Sequence, residues 1–407
     1  MQDHQNMPAT KLWNKNFTLY WLGTAQSNFG DALNGIALSF LILDLTGSAT
    51  SMGINLALSM FPGLLSPLAG NLMDRIPLKP PLIVGDVLRG LIALGVVYLA
   101  SQHLLTVPLI YLITVLFSTI GVMYRPAAGK IFPELVPRAE LPRANGLLGT
   151  ATQSMQLLGL VGGGALISTL GTAQALLIDA ITFFIMAVVL VFVDIPRLHP
   201  AQPEPFWKGM KAGFQVIQKS SILPMVMGMA FLINGALAPT EVLTPRIMQE
   251  MGLGARGYGF WMGAFSAGMV LGSVMVSIFG NKWQPRRMVF LGLFGMGFTL
   301  LGMMPQQHLW IMFTSAALMG ITVALTNTFV SVLLQHSVDQ QYRGRVFGVL
   351  GMVAQCGMPL MVLAVSGVAD QIPVSIPFMV ASVVVVCMSL LWAVFAGKQL
   401  KAAQVPA

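Results

Sequence analysis

Polar and apolar positions along the chain alternate in long blocks rather than residue by residue. Apolar runs long enough to cross a hydrocarbon core of roughly 30 Å as helices fall near 17–44, 50–72, 81–101, 107–130, 145–169 and 173–194. A second set falls near 222–246, 255–280, 288–304, 309–335, 346–369 and 375–397. Strands of a membrane barrel would instead alternate over segments of about ten residues, and no such pattern is present. The first run is too long for a cleavable signal peptide and has no small-residue cleavage site after it. The pattern predicts an all-α integral membrane protein of twelve transmembrane helices.

The longest polar stretch, near 195–221, divides the runs six and six. It carries Pro196, Pro200, Pro203 and Pro205, then the amphipathic piece Phe206 to Gln218, which suits the membrane surface. The expected organisation is a six-helix half over 1–194, a linker over 195–221 and a second six-helix half over 222–407. The halves echo each other. Gly70-Asn71 and Gly280-Asn281 each close the second run of their half before a basic loop. Arg143, Gly146, Gly149 and Gln153 open the fifth run with the spacing by which Arg345, Gly348, Gly351 and Gln355 open the eleventh. Six-helix halves related by an axis along the membrane normal are one architecture of secondary transporters, with substrate sites near the midplane. Gln153 and Gln355 are therefore substrate-cavity candidates.

Composition agrees with burial in lipid: 56% of residues are hydrophobic and 9% are charged, against about 25% charged in soluble domains. The net charge of +8 raises the question of nucleic acid. With the N-terminus inside, however, 18 of the 22 Lys and Arg fall in cytoplasmic segments, as the positive-inside rule requires. The charge is topology, and no nucleic-acid partner is expected. Both termini are expected to be cytoplasmic, in a bacterial-type inner membrane, and the chain is expected to act as a monomer.

Cys356 and Cys387 lie in apolar runs without disulfide or metal spacing and are expected to be buried. The 28 methionines include Met225 and Met229 four apart in the seventh run. Thioethers suit Cu(I), but Met is also an adaptable core filler, and none of the five histidines lies mid-span. No metal and no cofactor are expected. GLGARG, 252–257, matches a dinucleotide fingerprint by letters only, because no strand precedes it. Walker, hydrolase-elbow and zinc-protease patterns are absent, which disfavours an enzyme or an ATP-driven pump.

Charges inside the runs carry the functional question. In QSNFGDALNG, 26–35, the positions Thr24, Ser27, Asn28, Asp31, Asn34 and Gly35 recur at helical spacing and share a face. A charge at the bilayer centre costs about 2.5 kcal/mol or more, so such a face meets a bundle interior or a watery cavity. Either it stitches helices together by hydrogen bonds, or it lines a cavity in which Asp31 takes up and releases a proton. The second reading is preferred, with Ser27, Asn28 and Asn34 as cavity residues. Arg125, before Pro126 in the fourth run, either pairs with an anion or a carboxylate or snorkels to the interface. Glu241 in the seventh run is either a second titrating group or interfacial, and Asn234 is deeper and a cavity candidate. Asp86 and Arg89, three apart in the third run, sit with Asp74 and Arg75 in one charge cluster.

The loop GNLMDRIPLK, 70–79, resembles the signature between the second and third helices of the major facilitator superfamily. LDLTGSAT (43–50), FPGLLSPLAG (61–70), GDVLRG (85–90), RPAAGKIFPELVPRAELPRANGL (125–147), LLIDAITFF (176–184) and YRGRVFG (342–348) are similar to the branch holding macrolide efflux proteins and the enterobactin exporter. The resemblance covers nearly the whole chain. It implies two pseudo-symmetric halves and a cytoplasmic gate built from Gly70, Asp74, Arg75, Lys79, Asp86 and Arg89, and it makes Asp179 a family position. Pro77 and Leu78 depart from the signature, and Leu160 in LLGLVGGGAL stands where antiporters carry proline. The expectation is a secondary exporter of amphipathic organic molecules, of drug or siderophore type, coupled to protons and working by alternating access. A lipid or lysolipid translocator, or a non-transporting membrane sensor or assembly protein, are the rivals.

Overall fold

The computed structural model describes residues 11–73, 76–194, 223–304, 308–337 and 343–402, with residues 211, 214–218 and 220 between them. Their regular structure is entirely helical, without a strand among the described residues. In chain order the helices are α1 (Lys15–Thr46), α2 (Ala49–Met60), α3 (Ser66–Met73), α4 (Lys79–Ser101), α5 (Val107–Gly121), α6 (Tyr124–Ile131), α7 (Leu141–Leu170) and α8 (Thr172–Phe192). After the linker come α9 (Leu223–Ala236), α10 (Ala238–Glu250), α11 (Gly254–Phe279), α12 (Pro285–Leu301), α13 (Leu309–Ser337), α14 (Arg343–Val368) and α15 (Ser375–Ala402).

Among the described residues nine helical segments are long and apolar enough to cross a bilayer. With the α2–α3 segment, α7 and α12, they occupy the twelve expected places. Three of the twelve are interrupted, and proline accounts for each break. A proline removes an N–H and its ring collides with the carbonyl four residues earlier. Pro126 lies just past the end of α5 at Gly121, and Pro239 just past the end of α9 at Ala236. Pro62 turns the end of α2 into the 3-10 stretch Phe61–Leu65. Leu160 has the opposite effect: without a proline there, α7 runs unbroken for 30 residues.

Local signals set the ends of α1. The Asn14 side chain accepts from the Phe17 N–H at 2.9 Å as N-cap, and Gly47 closes the helix in the left-handed region at φ 63°, its N–H bonded to the Leu43 carbonyl at 2.7 Å. Only a residue without Cβ adopts that φ freely, which explains the glycine of LDLTGSAT.

The chain forms two compact units. One comprises the described residues of Met1–Gly47, Leu58–Phe206 and Gly254–Gly259, and the other those of Ser48–Ala57, Trp207–Leu253 and Phe260–Ala407. The boundary thus differs from the expected division in the short segments 48–57 and 254–259. In the first unit α1 packs on α7 and α8, and α4 on α8; in the second, α9 packs on α14 and α12 on α15. By span these are first with fifth and third with sixth, then seventh with eleventh and ninth with twelfth. The repeat read from short motifs is therefore also a repeat of packing within each unit. Gly159 of α7 lies against the Phe29 carbonyl, and Gly357 of α14 against the Phe231 carbonyl. In both places the missing Cβ lets a helix rest on its neighbour's backbone.

Outward faces of the spans are apolar. Ile181, Ile185, Val188 and Val191 of α8, and Val380, Val383, Leu390 and Leu391 of α15, are exposed. Continuous apolar surface of this kind has to be covered, and lipid covers it in a multi-pass membrane protein. Cys387, expected buried, lies on this exposed face of α15, and Cys356 is half-buried. An apolar run in a membrane does not imply an interior position. Most of the amphipathic piece 206–218 lies outside the described residues.

Candidate functional site

Three motif stretches that are far apart in sequence meet in the first unit. GDVLRG lies on α4, QSNFGDALNG on α1 and LLIDAITFF on α8, and α8 packs on both of the others. The approach depends on glycine. A Cβ at Gly30 would run into the Asp179 and Thr182 side chains of α8, and one at Gly90 would meet the Phe184 ring at 2.9 Å. Gly85 leaves room for the Tyr124 hydroxyl, 3.0 Å from where a Cβ would stand. Each motif glycine sits one or a few residues from a charge and holds open the space that the charge's neighbours fill.

At the centre is Arg89. Its Nη2 donates to Asp31 Oδ1 at 2.6 Å, and its Nη1 is 4.0 Å from Asp86 Oδ1. The Arg89 side chain is 8% exposed and its guanidinium is caged by rings, with its carbon 4.1 Å from the Phe183 centroid, 4.5 Å from Phe117 and 5.3 Å from Tyr124. Cation–π contacts of this sort contribute about 0.5–2 kcal/mol each, more where water is absent. Asp31 is the open member of the pair, its side chain 45% exposed.

Two further carboxyls complete the cluster. Asp179 is fully buried, accepting from the Asn34 amide at 2.6 Å, with the Thr182 hydroxyl 3.5 Å from its other oxygen. Asp86 is also fully buried, and neither of its oxygens has a formed hydrogen bond. The Tyr124 hydroxyl lies beside it, but that hydroxyl donates to the Leu82 carbonyl at 2.7 Å. Three carboxyls thus cluster about one guanidinium inside predominantly apolar spans.

Other sequence candidates fall elsewhere. Asn28 donates to the Thr24 carbonyl of its own helix at 2.8 Å, and Ser27 is half-buried on the same face. Gln153 of α7 and Gln355 of α14 are both exposed, and Cβ atoms at Gly146, Gly149, Gly348 or Gly351 would meet nothing within 4 Å. Asn234 of α9 bonds the Ala230 carbonyl at 2.8 Å, and Glu241 occupies the first turn of α10, just after the break in the seventh span. Arg125 is the second residue of α6, next in sequence to Tyr124, the tyrosine that reaches the cluster.

Of the expected gate, Asp74 and Arg75 lie outside the described residues. Lys79 caps the C-terminal end of α8, its Nζ bonded to the Val191 and Val193 carbonyls at 2.7 and 3.0 Å. The neighbour of Gly70 within its unit is Pro126, 3.6 Å from where a Cβ would be. Asp86 and Arg89 join Asp31 within the spans. Asp179 was legible only as a family position. The aspartate inside LLIDAITFF, an apolar run, was the signal that could have raised it to the rank of Asp31.

Comparison with known proteins agrees with this architecture. The family described as transmembrane secretion effector matches residues 7–407. Macrolide efflux protein A of Streptococcus pyogenes is 25% identical over 389 residues, covering 93% of this chain and 95% of its own. Multidrug efflux pump Tap of Mycobacterium tuberculosis is 23% identical over 389 residues, covering 91% of each chain. Among solved structures, a point mutant of the nucleoside transporter NupG superposes with a TM-score of 0.76 at 13% identity, covering 93% of this chain and 99% of that one. A bacterial homologue of the iron transporter ferroportin, in an inward-facing state, gives 0.71 at 15%, covering 93% and 98%. The fold is that of these transporters, and the chain belongs to the transmembrane secretion effector family of the major facilitator superfamily, a family of membrane transporters and not of enzymes.

Proposed function

We propose that this transporter is a proton-coupled exporter of amphipathic organic molecules of drug type, working by alternating access in a bacterial inner membrane. The observation that carries the reading is the Asp31–Arg89 pair at 2.6 Å within the spans, one partner caged and the other half-exposed. A buried guanidinium without its carboxylate is costly. Protonating Asp31 therefore changes the energy of the whole cluster, and a proton can drive a rearrangement of α1 against α4. The relatives named for macrolide and multidrug efflux support a bulky, largely apolar substrate and an outward direction. Substrate and proton need only favour different states to be coupled.

The test is transport in proteoliposomes with and without a pH gradient, using a macrolide, a cationic dye and a lysolipid. Wild-type protein should concentrate the macrolide or the dye only with the gradient. Asp31→Asn should still bind substrate and exchange it downhill while losing uphill transport. Gradient-independent movement of lysolipid alone would replace the reading with a lipid translocator.

A further inference from the structure

The pair leaves a buried carboxyl unexplained. Asp86 is 0% exposed, has no hydrogen bond to either oxygen, and lies 4.0 Å from the other terminal nitrogen of the same guanidinium. We infer that Asp86 is a second proton-carrying carboxyl, and that Arg89 exchanges partners between Asp31 and Asp86 as a proton leaves one and reaches the other. This rests on the proton-coupled reading above and deepens it.

The argument is one of charge and geometry. One guanidinium can offset one carboxylate, and it is already bonded to Asp31. A second carboxylate with no hydrogen bond and no exposed surface would bear a desolvation cost of several kcal/mol, so in this state Asp86 carries its proton. The groups that face it are Arg89 from its own helix, Asp31 from α1 and Tyr124 from α6. Asp179 of α8 acts on Asp31 and Arg89 and has its own donors in Asn34 and Thr182. Tyr124 is suited to the neutral form. Its hydroxyl donates to the Leu82 carbonyl, which leaves its oxygen free to accept from a carboxylic acid.

The exchange keeps charge constant. Asp31, the exposed partner, takes a proton from water and releases Nη2. Arg89 then turns Nη1 onto Asp86, whose proton departs to water admitted by the rearrangement. One proton has entered at Asp31 and one has left from Asp86, with a single ion pair before and after. Asp86 precedes Arg89 by three residues on α4, about 4.5 Å along the axis, toward the Lys79 end that the charge distribution places in the cytoplasm. With Asp31 charged from the outer side, the net transfer is inward, the direction that export by antiport requires.

Infrared difference spectroscopy on the full-length protein in lipid, with Asp86→Asn to assign the band, tests the exchange directly. Wild-type protein at neutral pH should show a protonated-carboxyl band that Asp86→Asn removes. In Asp31→Asn, Arg89 should take Asp86 as its carboxylate partner, so the same band should be lost although Asp86 is still present. A purely structural Asp86 would keep its band in Asp31→Asn, and that result overturns the inference. If Asp86→Asn does not fold, wild-type against Asp31→Asn still decides. The spectra are independent of transport. A wild-type protein indifferent to a pH gradient would sink the proton-coupled reading, whereas an unchanged band in Asp31→Asn would sink the exchange alone.

Discussion

The Asn34 amide donates to Asp179 Oδ2 at 2.6 Å, joining α1 to α8 one turn away from the Asp31–Arg89 pair. The polar face of α1 is therefore divided in its work. Asn34 stitches α1 to α8, helped from beside that face by Gln26, which donates to the Thr182 carbonyl at 2.9 Å. Asn28 satisfies itself on its own helix. Asp31 is the exposed member, and it alone on this face is paired to a cation. Stitching falls to Asn34, and the exposed, ion-paired Asp31 is left for the proposed coupling role.

Asn34→Ala should consequently lower stability. It strands a buried carboxyl without its amide donor, at a cost of about 1–3 kcal/mol. Asn28→Ala removes only a bond to the helix's own backbone and should leave the unfolding temperature in detergent nearly unchanged. Equal losses for the two variants would mean that the amide–carboxyl bond across α1 and α8 contributes nothing special.

The glycines of the first unit separate in the same way. A methyl at Gly30 would enter the space of Asp179 and Thr182, whereas one at Gly35 would meet nothing within 4 Å. Gly30→Ala should cost about 1–3 kcal/mol by overpacking and displace the cluster. Gly35→Ala should be neutral or stabilising by up to about 1 kcal/mol, the helix propensity difference. Thermal unfolding of the purified variants checks both, and a stable Gly30→Ala would contradict the close packing of α1 on α8.

Twelve passes, the six-and-six division and the pseudo-repeat were legible because hydrocarbon length and motif spacing are local properties of the chain. The proline breaks were legible only in part: Pro126 and Pro239 each remove a carbonyl bond that a continuous span would use, yet Pro359 does the same inside an uninterrupted α14. The partner of Asp31 was not. Arg89 lies 58 residues away in sequence, and its spacing from Asp86 read equally well as part of a loop cluster. Pairing across helices depends on which faces pack, and periodicity on a single helix does not reveal that. The exposure of Cys387 was misread for a related reason. In lipid, inside and outside are both apolar, so hydropathy does not tell them apart.

Orientation follows from the charges alone and is directly testable. Lys211, an exposed residue of the linker, should be cytoplasmic together with both termini. A Lys211→Cys variant, with Cys356 and Cys387 replaced, should react with an impermeant maleimide in inverted vesicles and stay protected in right-side-out ones. Labelling from outside would reverse the topology, and with it the inward direction assigned to the proton.

Asp370, just past the end of α14, makes the last prediction. Its carboxylate accepts from the Ser48 hydroxyl at 2.6 Å and from the Ala49 and Thr50 N–H groups at 3.1 and 3.2 Å, capping the start of α2 from a distant loop. Arg246 Nη1 adds an ion pair at 2.9 Å. Partial burial works to raise the Asp370 pKa, but the bonds from Ser48, Thr50 and Ala49 outweigh it and hold the group below its ordinary value. The sign follows from that direction. A carboxyl held below its unfolded value of about 3.9 contributes stability that is complete above that pH and fades as pH falls through the folded value. Losing a helix cap costs about 0.5–2 kcal/mol, and the exposed Arg246 pair adds at most about 1 kcal/mol. Asp370→Ala should therefore speed amide hydrogen exchange at residues 49–52 several-fold at neutral pH. The excess over wild type should shrink as the pH is lowered below about 4, because the wild-type cap is then protonated too. Exchange at 49–52 that is equally slow in Asp370→Ala would show that the start of α2 is held by packing against Ser366 and not by the cap.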